Sequence, residues 1–250
     1  MWSRSRYTRG DGSLRQRVGI VLRWPIGLAF TTWRYLWRVT PVYRRDEEGG
    51  APADLPPELP DGVDRRDVQG FADGYGALLH RCYAVQITDP RIGSEQVIRQ
   101  LAADPNSAAP QDAAVFVKSR EADGGGGRAG EMAVDDEYVV RMPGPWDGPV
   151  RVVERTPTSF RLVTLRGHLE AGSIEFRARC EGADLVFEIE SWARPGDRTS
   201  HLLYNKLLLA KEIQLNLWTE TCLGVVRNSG GTLSGGVRVH TLRVADPLPE

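Results

Sequence analysis

Between Gly76 and Arg194 the chain breaks into short apolar runs separated by turn residues. Seven of them read as strands: 76–87, 113–118, 137–142, 150–155, 160–165, 173–180 and 184–194. After the first, Asp89-Pro90 opens a helical stretch with Ile92, Val97, Ile98 and Leu101 apolar, ending at Asp104-Pro105-Asn106. The later strands are joined by short connections, which makes them antiparallel neighbours. From Ser200 the period changes. Up to Gly224 the residues favour a helix, with Ser200 as N-cap and Gly224 placed for a left-handed end. Such a rod is about 35 Å long. At about 100° per residue, Asn205, Glu212, Asn216 and Thr219 form one narrow polar wedge. Nearly everything else is apolar, so the helix is expected to be covered on more than one side.

The last strand pair can be registered from its pattern. Ile174, Phe176, Ala178 and Cys180 alternate with polar residues, and so do Leu185, Phe187 and Ile189. Keeping the apolar faces together sets Phe176 opposite Ile189 and Ala178 opposite Phe187. Glu181-Gly182-Ala183-Asp184 is then the loop. Arg177 falls opposite Glu188 and diagonal to Glu190 on the outer face. The apolar face is left for the long helix.

The first 45 residues are different. They carry ten arginines against one acid, Asp11, although the whole chain has a net charge of −1. Val18–Trp37 is interrupted by Arg23 and Pro25 and lacks a cleavage site, which argues against a signal peptide or a membrane span. Pro25 starts an expected helix to about Arg38, with Ile26, Phe30, Trp33 and Trp37 on one face. Residues 18–38 are thus a candidate contact for a membrane surface or a protein; packing on the chain's own domain is favoured. The segment 46–66, rich in Pro, Gly and acids, is expected to be an extended linker. The division is a basic arm over 1–45, a linker over 46–66 and a main domain over 67–250.

Composition adds exclusions. Hydrophobic residues at 41% and charged residues at 26% are ordinary for a globular protein. Cys82, Cys180 and Cys222 are widely spaced, which suggests neither a disulfide framework nor a zinc site, and a reducing cytoplasm fits. A peripheral position at a membrane follows only if the arm is interfacial. The four histidines have no metal-ligand spacing, so no metal and no cofactor are expected. The Gly124–Gly127 run lacks the residues of a phosphate loop. Nucleic acid is disfavoured, because no recognition motif accompanies the basic arm.

The order of strand, helical segment, antiparallel strands and long helix is that of the helix-grip fold. The expected class is α+β: a curved antiparallel sheet of about seven strands around a long C-terminal helix, with an N-terminal helical arm. The stretches WRYLWRVTPV, RMPGPWDGPVRVVE, SFRLVTLRGHLEAGSIEFRA and ESWARPGD resemble the bacterial family named domain of unknown function nineteen-ninety. The resemblance runs from about Trp33 to Val244. It implies a fold near the START-like and birch-allergen-like ligand-binding domains, and it brings no catalytic residues with it.

Candidate chemistry is sparse. His168 and Glu170 are the most enzyme-like pair, a base beside a carboxylate, but their i, i+2 spacing in a hairpin loop also suits a turn that binds backbone. Glu175, Glu188 and Glu190 read as a charge ladder with Arg177. On the apolar arc of the helix, Gln214, Lys211 and Thr221 are the polar minority. With Leu207, Leu217, Phe176 and Phe187 they could line a cavity between sheet and helix. The expected role is non-enzymatic binding of a small apolar or amphipathic molecule there. The alternatives are a cyclase- or hydrolase-type enzyme using the same cavity, and a scaffold attached through its arm.

Overall fold

The computed structural model describes residues 41–49, 54–111, 114–122, 131–142, 147–196 and 209–244, with backbone alone for 209–213. Nine strands are found among them. They are β1 (Val42–Gly49), β2 (Leu78–Thr88), β3 (Val115–Arg120), β4 (Glu137–Arg141), β5 (Asp147–Arg155), β6 (Ser159–Thr164), β7 (Glu170–Glu181), β8 (Asp184–Pro195) and β9 (Thr232–Val244). The helices are α1 (Ser94–Ala103) and α2 (Leu209–Ser229). All strands lie in one sheet of order β1-β9-β2-β8-β7-β6-β5-β4-β3. From β3 to β8 the sheet is an antiparallel meander, which the short connections require from β4 onward; β3 and β4 are joined by the longer segment 121–136. β2 joins β8 antiparallel, β9 joins β2 antiparallel, and β1 is parallel to β9.

The expected seven strands are all present, and β1 and β9 are the additions. Strand β1 crosses the expected border between arm and linker. Its sequence, VYRRDEEG, has no apolar face to announce it. β9 follows the long helix and enters the sheet between β1 and β2. The mixed sheet replaces the purely antiparallel one for this reason.

The β7–β8 register is as the alternation demands. Phe176 pairs with Ile189 and Ala178 with Phe187, with Gly182-Ala183 at the turn. On the outer face Arg177 reaches Glu188 at 3.3 Å and Glu190 at 3.1 Å. On the inner face a single core joins β2–β9 to both helices. Phe160 stacks on Phe176 at 4.7 Å, and Trp218 of α2 meets Phe176 edge-on at 5.6 Å.

The long helix departs from expectation at its end. Gly224 does not terminate it. A Cβ there would collide with the Ala108 backbone, so the glycine permits close approach of α2 to the loop after α1. The left-handed end comes at Gly230, φ +69°. The expected polar wedge is also covered: Asn216 and Thr219 are buried, and Thr219 bonds back to the Leu215 carbonyl. Asn205 and Leu207 lie outside the described residues, as does the side chain of Glu212.

Residues 54–76 run over the outer face as a strap. Leu59, Val63 and Val68 pack on Val153 and Val163, and Phe71 packs with Leu78, Trp192 and Val244. Three buried arginines of the sheet hold its backbone. Arg151 donates to the carbonyls of Asp64 and Arg66, Arg161 to those of Pro57 and Glu58, and Arg194 to those of Phe71 and Gly76. Much of the expected linker is therefore packed. Buried polar groups need partners, and extended backbone without a ladder supplies them to these guanidinia. No helix among the described residues is long and apolar enough to cross a membrane. The readings for residues 1–40, including the helix from Pro25 and the surface contact over 18–38, fall outside the described residues.

Candidate functional site

On the inner face the sheet changes character along its strands. β2 presents Ile87, Val85 and Tyr83, then Arg81 and Leu79. β9 presents Val237 and Val239, then Thr241 and Arg243. β1 adds Val42, then Arg44, Asp46 and Glu48. The apolar end of this surface is covered by α2. At the polar end a cavity of about 380 Å³ remains. Its apolar wall is Leu79, Tyr83, Leu215 and Val239. Its polar wall includes Arg81, Thr241 and Arg243, with Arg44, Asp46 and Glu48 of β1 along the rim.

Arg81 is the buried charge of this wall, 9% exposed. It donates to Gln214 Oε1 at 2.7 Å, and Gln214 Nε2 donates to Glu170 Oε2 at 2.5 Å. The Arg81 guanidinium also reaches the Tyr83 phenol, whose pKa burial pushes up to about 12. Three elements thus meet in one polar chain: β2, α2 and the start of β7. It fixes the guanidinium at the end of the cavity.

The expected site residues separate into groups. Gln214 adjoins the cavity through Arg81 and is engaged by protein on both ends of its amide. Thr221 donates to the Leu217 carbonyl of its own helix. Leu217, Phe176 and Phe187 are buried in the packed core. Leu207 and the side chain of Lys211 lie outside the described residues. Replacing Gln214 by Leu should lower stability by about 1–3 kcal/mol, because Arg81 and Glu170 both lose a partner. A denaturant midpoint equal to or above that of the parent would show that the chain of bonds is not stabilising.

His168 and Glu170 are close, but through the backbone. The Glu170 N–H donates to His168 Nδ1 at 2.9 Å, and the Glu170 carboxylate turns to Gln214 instead. The ring lies on Gly148, where a Cβ would come within 2.9 Å of Nε2. Burial pushes the imidazole down from 6.5 to about 4. Between those values the unfolded chain holds a proton that the folded chain does not. The contribution of His168 to stability is therefore complete above about pH 6.5 and lost as the pH falls toward 4. In His168→Asn, whose amide oxygen can take the same N–H, unfolding midpoints at pH 7 and pH 4.5 should differ less than in the parent. An unchanged difference would exclude His168 as the source.

Among the described residues no cluster of His, Cys, Asp and Glu could hold a metal. Cys222 is buried, Cys82 half-buried and Cys180 exposed, all as free thiols.

Arg81 and the cavity were hidden in the sequence. His80 and Arg81 are adjacent and both polar, so the alternation of β2 does not reveal which one faces inward. Arg243 and Thr241 lie in β9, whose Gly235-Gly236 obscures the strand. The V-x-V-x-T-x-R spacing from Val237 to Arg243 was the available signal.

The molecule is thus of the α+β class in which a long helix lies on the inner face of a curved sheet and a cavity remains between them. Residues 120–216 match the family DUF1990, a domain of unknown function. This is the family that the sequence motifs resemble. No curated protein matches the chain. Solved structures are similar at low identity, three of them as follows. A hypothetical protein from Helicobacter pylori has a TM-score of 0.40 at 8% identity, over 59% of this chain and 86% of that one. The di-domain ARO/CYC StfQ from the steffimycin biosynthetic pathway has 0.41 at 9%, over 64% and 54%. Major latex-like protein 151 from Panax ginseng has 0.35 at 15%, over 57% and 99%.

Proposed function

We propose that this chain binds a small amphipathic molecule in the cavity between α2 and strands β1, β9 and β2. The observation that carries the reading is the cavity itself. Its volume of about 380 Å³ is in the range of small-molecule sites. Its walls hold an apolar part toward the core, Tyr83, Leu215 and Val239, and a polar part built on an oriented Arg81, with Leu79 beside Arg243 at the outer end. A site that divides this way suits a ligand that does the same. The site expected from sequence was the middle of the sheet, around Phe176 and Phe187; the cavity is displaced from it toward the β1 edge. The reading requires no reaction, and the engagement of His168 with the Glu170 backbone lends none.

The test has two arms. Organic extraction of the purified protein, followed by mass spectrometry, should yield an amphipathic small molecule in stoichiometric amount. Val239→Phe, which fills the apolar wall, should abolish its retention while the far-ultraviolet circular dichroism spectrum is unchanged. Recovery of the same molecule from both proteins would place binding elsewhere.

A further inference from the structure

The polar wall of the cavity carries a more specific arrangement. In the β2–β9 ladder Arg81 pairs with Thr241, and Leu79 pairs with Arg243. Arg243 therefore stands on the diagonal from Arg81, on the same face, at the spacing of about 7–8 Å that long side chains can bridge. Arg81, Thr241 and Arg243 all line the cavity. Two guanidinia and a hydroxyl are thus directed into one volume from adjacent strands.

The electrostatics favour one sign. Arg81 is the buried cation of the wall, tied through Gln214 to the buried Glu170 carboxylate, whereas Arg243, Arg44 and the rim acids Asp46 and Glu48 are exposed and Glu47 is half-buried. Exposed charges of both signs are screened by water; of the two buried groups only Arg81 lines the cavity, and Glu170 is set behind the Gln214 amide. Arg243 faces Glu48 directly across the β1–β9 ladder, yet its side chain forms no ion pair or hydrogen bond among the described residues. Its five donors match a planar oxyanion, and together with Arg81 and Thr241 they could take both oxygens of a carboxylate. The apolar wall of Tyr83, Leu215 and Val239 lies on the inner side of this group.

We infer that the ligand is an amphipathic anion, its carboxylate bound by Arg81, Thr241 and Arg243 and its apolar body lying against Tyr83, Leu215 and Val239. This rests on the proposed use of the cavity for a ligand and adds the charge of the head group.

The test uses three probes with one tail and different heads: dodecanoate, dodecanol and dodecyltrimethylammonium, each below its aggregation concentration. Calorimetric titration of the full chain should give tightest binding for dodecanoate, by about tenfold or more over the others, the worth of a charge-assisted bond. Arg243→Ala should remove that preference and bring dodecanoate to the level of dodecanol. Glu48→Gln, which takes away the rim acid opposite Arg243, should tighten dodecanoate and weaken the ammonium probe. Equal binding of the three probes, or preference for the ammonium, overturns the anionic head while the cavity stands as a ligand site. Binding of none of them overturns both. Should Arg243→Ala fail to fold, the preference of the parent and the response of Glu48→Gln decide the matter alone.

Discussion

Arg151→Ala should destabilise the chain by about 3–5 kcal/mol, the usual consequence of removing one partner of a buried ion pair. Arg151 is 3% exposed in the middle of β5. Its guanidinium meets Glu137 at 2.6 Å and the carbonyls of Asp64 and Arg66 at 2.5 and 2.8 Å. Its loss leaves Glu137 with a weaker set of partners and releases the strap from the outer face. The comparison is Arg177→Ala, whose side chain is 40% exposed in the charge ladder of β7 and β8. That change should cost no more than about 1 kcal/mol. Urea denaturation of both variants measures the contrast. Equal small losses would mean that the strap is not held by Arg151.

The second large effect concerns Phe176. It lies in the centre of β7 at 4% exposure, stacked on Phe160 and capped by the edge of Trp218. Phe176→Ala should lower stability by about 3–5 kcal/mol, through lost burial and the void left among rings that cannot all move. Were Phe176 instead a wall of a ligand cavity, its truncation would enlarge that cavity at little cost and change what binds. The thermal midpoint and the retention of a bound amphiphile, measured together, separate the two. A midpoint near that of the parent with altered retention would return Phe176 to the site expected from its position on the inner face.

These residues show what could be read in the chain. The β7–β8 hairpin was legible to the residue, because strict alternation over both strands admits one register once the apolar faces are joined. From β4 to β8 the meander was legible because its connections are too short for anything else; the sixteen residues between β3 and β4 set no such limit. β1 was not, since an edge strand with charges on both faces has no period that distinguishes it from a linker. Gly224 illustrates another ambiguity. A glycine near the end of a helical run suits a left-handed cap and a close backbone approach equally, and only the position of Ala108 decides between them. The strap was foreseen as extended but not as packed, because Arg151, Arg161 and Arg194 reveal their inward role only when the carbonyls that they hold are known. Of the candidate site, Gln214 was singled out for its place on an apolar arc. Its partners, Arg81 and Glu170, come from distant segments, and no local pattern brings them together.

The place of β9 also bears on how the molecule is assembled. Val42 of β1 pairs with Val237 of β9, and β9 in turn pairs with β2. Two strands made early in translation thus have their common neighbour supplied only after the long helix has been synthesised. Pairings so distant in sequence are slow to form. Until the segment beyond Gly231 emerges from the ribosome, the free side of β2 is an open template with Tyr83, Val85 and Ile87 along it, the kind of edge that attracts other strands. The nascent chain is therefore at its most vulnerable late in synthesis, and its dependence on chaperones should be concentrated in the interval before β9 closes the sheet.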